Sequence, residues 1–289
     1  MDRRILVLGA TGKLGEPVAR KLLEEGFKVR VFSRNINSAR EQLGDGFEYV
    51  QGDVRDLSSI ESAVKDCWGI HFSLRGGFTQ KEYEQVEYGG LINTINAAHN
   101  NGIKRFAYLS IAVNLENARW FFMADVKFKS EKAIINSGLP YTIFSATSFI
   151  ENFPQMIRNG KALTIGKNPH QWHFISADDF AGMVSNSFKT NEAANKKFYI
   201  LGPEAVTIKQ GLKKYLTIAH PEIKKISTIP IRLIYFIGMI TFNRELKFLA
   251  RLMIFFERER EAGDPGEANR ILGTPHTTIE EWAKKHINY

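Results

Sequence analysis

The 289-residue chain contains a single cysteine, Cys67. That excludes an intrachain disulfide, a cysteine-based zinc site and an iron–sulfur cluster. A lone thiol suits a reducing compartment, and a cytoplasmic setting is expected. Long hydrophobic runs are missing as well. The longest, 233–242, falls far short of the roughly 20 residues a membrane span needs, so no transmembrane helix is expected. No internal repeat, low-complexity tract or linker rich in proline, glycine or serine divides the sequence. The first apolar stretch is too short for a targeting segment and runs into glycines that read as a turn, so it is expected to belong to the fold. Charge is not strongly one-sided either. The 39 basic and 31 acidic residues leave a formal charge of +8, an excess that suits solubility. Direct nucleic-acid binding is not expected.

What is present is an ordinary globular composition. Hydrophobic residues make up 44%, charged residues 24% and aromatics 12%, which excludes disordered, collagen-like and coiled-coil chains. A chain of this length hides roughly 75% of its unfolded surface and has room for a sizeable core.

The first half alternates two periodicities. Short β-branched and apolar runs fall at 5–8, 28–32, 47–50, 70–74, 106–110 and 141–144. Stretches with helical spacing lie between them. Val18, Leu22 and Leu23 share a face of 13–26. Ile60, Val64 and Cys67 follow a cap at Asp56. Val86, Leu91, Ile95 and Ala98 mark a long helix ending near Gly102. Strands alternating with helices predict βαβ units, right-handed crossovers and a doubly wound parallel sheet of Rossmann type. Beyond residue 150 the pattern loosens. Strands are expected at 172–175 and 197–201, and helices from Ala177, over 207–219, through most of 229–260 and from Thr278. The expected organisation is α/β, with a dinucleotide-binding domain over 1–150 and a smaller, mostly helical substrate lobe over 151–289 packed on it.

The strongest motif is Gly9-Ala10-Thr11-Gly12-Lys13-Leu14-Gly15, directly after the first strand. A glycine triplet between a strand and a helix in the first βαβ unit is the setting of a pyrophosphate-binding loop. Gly9 permits the turn, Gly12 lets the backbone approach the anion, and Gly15 lets helix and strand pack closely. Free N–H groups at the helix start then face the phosphates. The second strand ends in Ser33-Arg34, where a fold preferring NAD places a carboxylate. A guanidinium and a hydroxyl suit a 2′-phosphate, and Lys13 adds positive charge. NADP(H) is therefore the expected cofactor, with NAD(H) second. Asp53 and Val54, after the third strand, stand where an adenine edge would lie, although Asp53 serves equally as a helix cap.

These motifs, with Arg105-Phe106-Ala107-Tyr108-Leu109-Ser110, Lys127-Phe128-Lys129-Ser130-Glu131, Ser137-Gly138-Leu139-Pro140-Tyr141-Thr142-Ile143, Phe149-Ile150-Glu151-Asn152 and Phe174-Ile175-Ser176-Ala177-Asp178-Asp179, resemble the NmrA-like branch of the atypical short-chain dehydrogenase/reductase superfamily. The resemblance implies a nicotinamide dinucleotide, often NADP(H). It covers reductases of quinones, flavins and carbonyl compounds as well as redox-sensing regulators without turnover. It implies that Ser110 and Lys127 are the catalytic positions, with Lys127 also on the ribose. Ser73, Leu74, Arg75, Thr147 and Phe149 would flank the nicotinamide side. Two departures stand out. The Tyr expected four residues before the Lys is Met123, which has no proton to give. An Arg-Pro pair common after the sixth strand is replaced within Ser145-Ala146-Thr147. Lys129 and Lys132 lie close to Lys127 and compete for its role, and Tyr108 is the best substitute tyrosine.

The functions expected are an NADPH-dependent oxidoreductase of a small quinone, flavin or carbonyl substrate and, as the alternative, a dinucleotide-sensing regulator with a protein partner. An epimerase is a third reading. His170 and His173 flank Trp172 without a third ligand of clear spacing, so no metal is expected. Asp178 and Asp179 read as helix-start residues. Trp120, Phe121 and Phe122 read as pocket lining or core. The apolar, basic stretch 229–260 is expected to be buried in the lobe, to pair with a second copy, or to meet a protein partner or an anionic membrane surface.

Overall fold

The computed structural model describes residues 3–286. In chain order its strands are β1 (Arg4–Leu8), β2 (Lys28–Ser33), β3 (Glu48–Gln51), β4 (Gly69–Phe72), β5 (Arg105–Ile111), β6 (Tyr141–Ala146), β7 (Ser148–Phe149), β8 (Ile157–Arg158), β9 (Lys161–Ile165), β10 (Gln171–Ile175), β11 (Lys196–Ile200), β12 (Ala205–Thr207) and β13 (Ile226–Ile229). The helices are α1 (Gly15–Glu24), α2 (Ile36–Leu43), α3 (Leu57–Val64), α4 (Gln80–Glu82), α5 (Gly90–Asn100), α6 (Phe122–Asn136), α7 (Ala177–Lys189), α8 (Ile208–Ala219), α9 (Ile231–Ile240), α10 (Arg244–Arg258), α11 (Gly266–Leu272) and α12 (Ile279–Lys285).

Seven parallel strands form the central sheet in the order β11, β6, β5, β4, β1, β2, β3. Strands β1 and β4 are buried on both faces, which is why they read as continuous apolar runs. Ile5 lies opposite Val29 on one side and Gly69 on the other. The chain winds outward from β1 to β3, then returns to the far side of β1 with β4. This reversal opens a crevice beyond the carboxyl ends of β1 and β4, where doubly wound sheets bind ligands. One face of the sheet packs on α1, α2 and α7, through Val18, Leu22, Ala39, Phe180 and Val184. The other packs on α3, α5 and α6, through Ile60, Leu91, Ile95 and Ile134.

A second core gathers Phe153, Trp172, Tyr215, Phe248, Phe255 and Trp282 around α8, α10 and α12. Residues on both sides of position 150 feed both cores. Tyr83, Val113 and Phe121 join the second, whereas α7 and β11 return to the first. Two small sheets, β12-β10-β7 and β13-β9-β8, connect the layers.

Local chemistry explains most helix starts. Asn35, Asp56 and Ser176 accept from Ser38, Ser58 and Asp179 N–H, and Thr207 and Thr278 close reciprocal boxes with Gln210 and Glu281. The helix expected to end near Gly102 begins earlier than its apolar pattern, at Gln80. It runs through a π-helical stretch, Tyr83–Gly89, that turns both Tyr83 and Glu87 inward. Cys67 is buried beside Ala63, and burial raises its thiol to about 11. No helix among the described residues is long and apolar enough to cross a membrane.

Candidate functional site

The loop from Gly9 to Gly15 is built by close approach. Gly9 has φ +98°, and a Cβ there would lie 2.9 Å from the Ser73 carbonyl oxygen at the end of β4. A Cβ on Gly15 would overlap the Gly9 carbonyl oxygen at 2.0 Å, whereas one on Gly12 would sit 3.2 Å from it. The Gly12 N–H donates to Gly9 C=O at 2.9 Å and closes the turn. Leu14 stands at the N-cap of α1 and offers no side-chain acceptor. Among the described residues, the N–H groups of Thr11, Lys13 and Leu14 have no acceptor. An uncapped helix start of this kind carries partial positive charge into the crevice. Lys13 donates to the Glu151 carbonyl at 3.3 Å. Partial desolvation lowers its pKa, Glu151 opposes that, and nearby Arg75 lowers it further. Two cations therefore meet at the mouth of the loop. Arg75 also lies over the Phe78 ring at 5.4 Å.

At the end of β2, Ser33 is partly spoken for, because its hydroxyl donates to the Asn35 carbonyl at 3.0 Å. The exposed Arg34 guanidinium makes no hydrogen bond among the described residues and acts on Asp53 only through space. Asp53 is held by Arg55 at 2.5 Å, a hydrogen bond that pulls its carboxyl down to about 2. Val54 is buried, with its carbonyl taken by Asn93, so a ligand would meet only its backbone N–H. Ser73 ties β4 to β1 through N–H and hydroxyl bonds to the Leu8 carbonyl. Leu74 is half-buried against the face carrying α3 and α5.

The region of β5 and α6 holds a buried polar network. Lys127 Nζ donates to the Leu109 carbonyl at 2.7 Å and pairs with Glu87 at 2.8 Å. Both side chains are buried. Tyr108 donates to the same carboxylate at 3.3 Å, and burial pushes its phenol well above the ordinary tyrosine range. Ser110 donates to Glu131 at 2.5 Å, and Glu131 pairs with Lys197 at 2.7 Å. Lys129 pairs with Asp125, and Lys132 lies over the Phe128 ring, so Lys127 alone of the three reaches β5. Glu131 served in the sequence only as the marker for Lys127, and Glu87 was not singled out at all. Only the π-helical stretch turns Glu87 inward, and no spacing rule signals that. Met123 is half-buried against the second core.

A strap closes the far end of the crevice. Ala262 N–H donates to Ala112 C=O at 3.0 Å, and Glu261 bridges to Val113. The Glu261 carboxylate accepts from Thr147 and from His173. Phe149 packs edge-on against Phe180 in the first core. Phe121 and Phe122 pack against Phe248, whereas Trp120 is exposed and bonds Glu259 at 2.7 Å. His170 bonds the Glu257 carbonyl, apart from the partner of His173. Asp179 accepts from His276 and Thr277, which ties the C-terminal segment to α7.

A dinucleotide fits this lining. The glycine loop leaves a cradle that side chains would fill, α1 begins uncapped above it, and Lys13, Arg75 and Arg34 supply cations, while the nearby Asp53 carboxylate is already held by Arg55.

The profile of the NmrA-like family matches residues 1–218. The chain is 24% identical over 242 residues to photosystem II assembly factor Ycf39 of Guillardia theta, covering 82% of this chain and 76% of that protein. It is 26% identical over 310 residues to the chloroplastic divinyl chlorophyllide a 8-vinyl-reductase of Cucumis sativus, covering 96% and 70%. Among solved structures, the NADPH-dependent quinone oxidoreductase of Escherichia coli, complexed with NADPH, superposes with a TM-score of 0.73 at 20% identity, covering 98% of this chain and all of that one. The structural likeness shows the same Rossmann-type α/β fold.

Proposed function

The chain belongs to the NmrA-like family, and from that premise we propose that it is an NADPH-dependent oxidoreductase of a small quinone, flavin or carbonyl acceptor. The observation that carries this reading is the uncapped start of α1 over the glycine loop, flanked by Lys13 and Arg75, at the reversal of strand order. The free N–H groups of Thr11, Lys13 and Leu14 would bind the pyrophosphate. Arg34 would hold the 2′-phosphate, since β2 itself ends in no carboxylate and the nearby Asp53 is neutralised by Arg55. Ser73, Leu74 and Thr147 would line the nicotinamide side. When bound, the cofactor supplies hydride to the acceptor.

Proton delivery is the point on which this chain departs from tyrosine–lysine reductases. Met123 cannot donate. Tyr108 has no exposed surface and is held by Glu87, and its raised pKa keeps the proton on it. Acceptors that draw a proton from water, quinones and flavins first, therefore fit better than simple ketones. Lys127, neutralised by Glu87, would position the carboxyl end of β5 under the ribose rather than act as an acid.

One observation favours the second reading, a dinucleotide-sensing regulator. Both family-implied catalytic positions are already engaged by buried carboxylates, Lys127 by Glu87 and Ser110 by Glu131. The relatives cited include one named a reductase and one named an assembly factor. Calorimetric titration with NADPH and NADH, followed by NADPH oxidation against quinones, flavins and aldehydes, separates the readings. A charge-assisted hydrogen bond is worth about 1.5–3 kcal/mol, so NADPH should bind about tenfold or more tighter than NADH, and Arg34→Ala should erase the difference. Equal affinities overturn the cofactor assignment. Tight binding without oxidation of any acceptor moves the conclusion to the regulator.

A further inference from the structure

Seven of the ten large apolar side chains exposed among the described residues lie between positions 233 and 254. Helix α9 has a buried side formed by Ile234 and Gly238. A Cβ on Gly238 would lie 3.0 Å from the Lys247 backbone nitrogen, so α9 crosses α10 at backbone contact. The rest of α9 does not turn polar. At 100° per residue, Leu233, Ile240, Phe236, Met239 and Tyr235 fill its outer arc, interrupted only by Arg232. Phe236 and Ile240 are each 59% exposed. At the corner joining the helices, Phe242 is 84% exposed and sits at φ +53°, a costly backbone region for a bulky residue. A helix that is apolar on every side belongs in a core or in lipid, and contiguous apolar patches on a soluble surface mark interaction sites.

We propose that the outer face of the α9–α10 corner docks on an anionic lipid surface, with α9 lying in the headgroup plane. The charges around the patch select this occupant. From 231 to 256 the basic residues are Arg232, Arg244, Lys247 and Arg251, and Glu245 is the single acidic one. Arg244 leans toward Glu82 at 3.7 Å, and the other three pair with no carboxylate among the described residues. A two-fold dimer would set this positive face against its own copy, which like-charge repulsion opposes, whereas acidic headgroups attract it. Ten residues give α9 a length of about 15 Å, half the hydrocarbon thickness, so it lies on the membrane and does not cross it. This inference is independent of the reaction.

Flotation of the full chain with vesicles of phosphatidylcholine alone, and of phosphatidylcholine mixed with phosphatidylglycerol in equal parts, tests it. Binding should be about tenfold or more stronger to the anionic vesicles and should weaken with salt. Phe236→Ser with Phe242→Ser should abolish it. Arg232→Glu with Arg251→Glu should reduce it about tenfold or more by a different route, which guards against misfolding of either variant. Circular dichroism checks that each variant keeps its helix content. No binding to either vesicle, equal binding to both, or binding that survives both variants overturns the proposal. Light scattering that finds a dimer dispersed by Phe236→Ser, without vesicle binding, assigns the face to a second copy instead.

Discussion

His71 shows how far burial moves a side chain from its ordinary chemistry. It lies on β4, fully buried under the crevice, with both ring nitrogens unpartnered. Desolvation lowers its pKa from 6.5 to about 3. The unfolded chain therefore binds a proton that the folded chain refuses throughout the window between those values. Stability is full above the upper value and falls as pH drops through the window, by up to roughly 1.4 kcal/mol per pH unit from this group. His71→Leu should remove about one proton from the slope of unfolding free energy against pH, measured by urea denaturation across the window. An unchanged slope would mean that the ring finds water or a partner. Neither the burial nor the missing partners of His71 could be read from the sequence, where it is one polar residue inside an apolar run.

At the scale of elements, the turn from β1 to α1 separates two glycines that look alike in sequence. Alanine is the better helix former at Gly15, by roughly 1 kcal/mol. The overlap of its Cβ with the Gly9 carbonyl outweighs that, and Gly15→Ala should cost roughly 3 kcal/mol in chemical denaturation. Gly12→Ala, with its Cβ at 3.2 Å, should leave stability nearly intact and weaken dinucleotide binding in calorimetry. The reverse pattern would mean that the loop's order, rather than its open face, depends on Gly12. The central strands β1 and β4 were legible because parallel strands there are buried on both faces and read as short, mostly apolar runs, whereas the outer β2 and β3 were legible by their short β-branched and aromatic runs between helical stretches. Asp56, Thr207 and Thr278 announced helix starts for the same local reason that they form them. Helix α2 was not legible, because Ile36, Ala39 and Leu43 are its only apolar positions. The close-packed glycine turn was legible since its chemistry is local. Glu261 was not, because it meets Thr147 across 114 residues of sequence.

For the whole molecule, the interleaving of the two cores matters more than any boundary in the chain. Trp172 and Trp282 are buried in the second core and Trp68 packs against the first, and the helices and strands of both cores contribute to far-ultraviolet dichroism. Since α7 and β11 return to the first core after the chain has entered the second, neither core can open without pulling on the other. Tryptophan emission and dichroism should then share one unfolding midpoint in denaturant, even though chains of this size commonly unfold in steps. Two resolved midpoints would establish lobes that unfold separately.

The buried thiol beside Ala63 gives the molecule a clock. A reagent that alkylates thiolates cannot reach Cys67 in the closed state, and a thiol raised to about 11 offers little thiolate at neutral pH. Modification therefore requires an opening that exposes the segment between α3 and the start of β4. With no second cysteine in the sequence, the reaction reports this site alone, and where reclosing outpaces alkylation its rate, divided by that of a free thiol, gives the equilibrium constant and so the free energy of the opening.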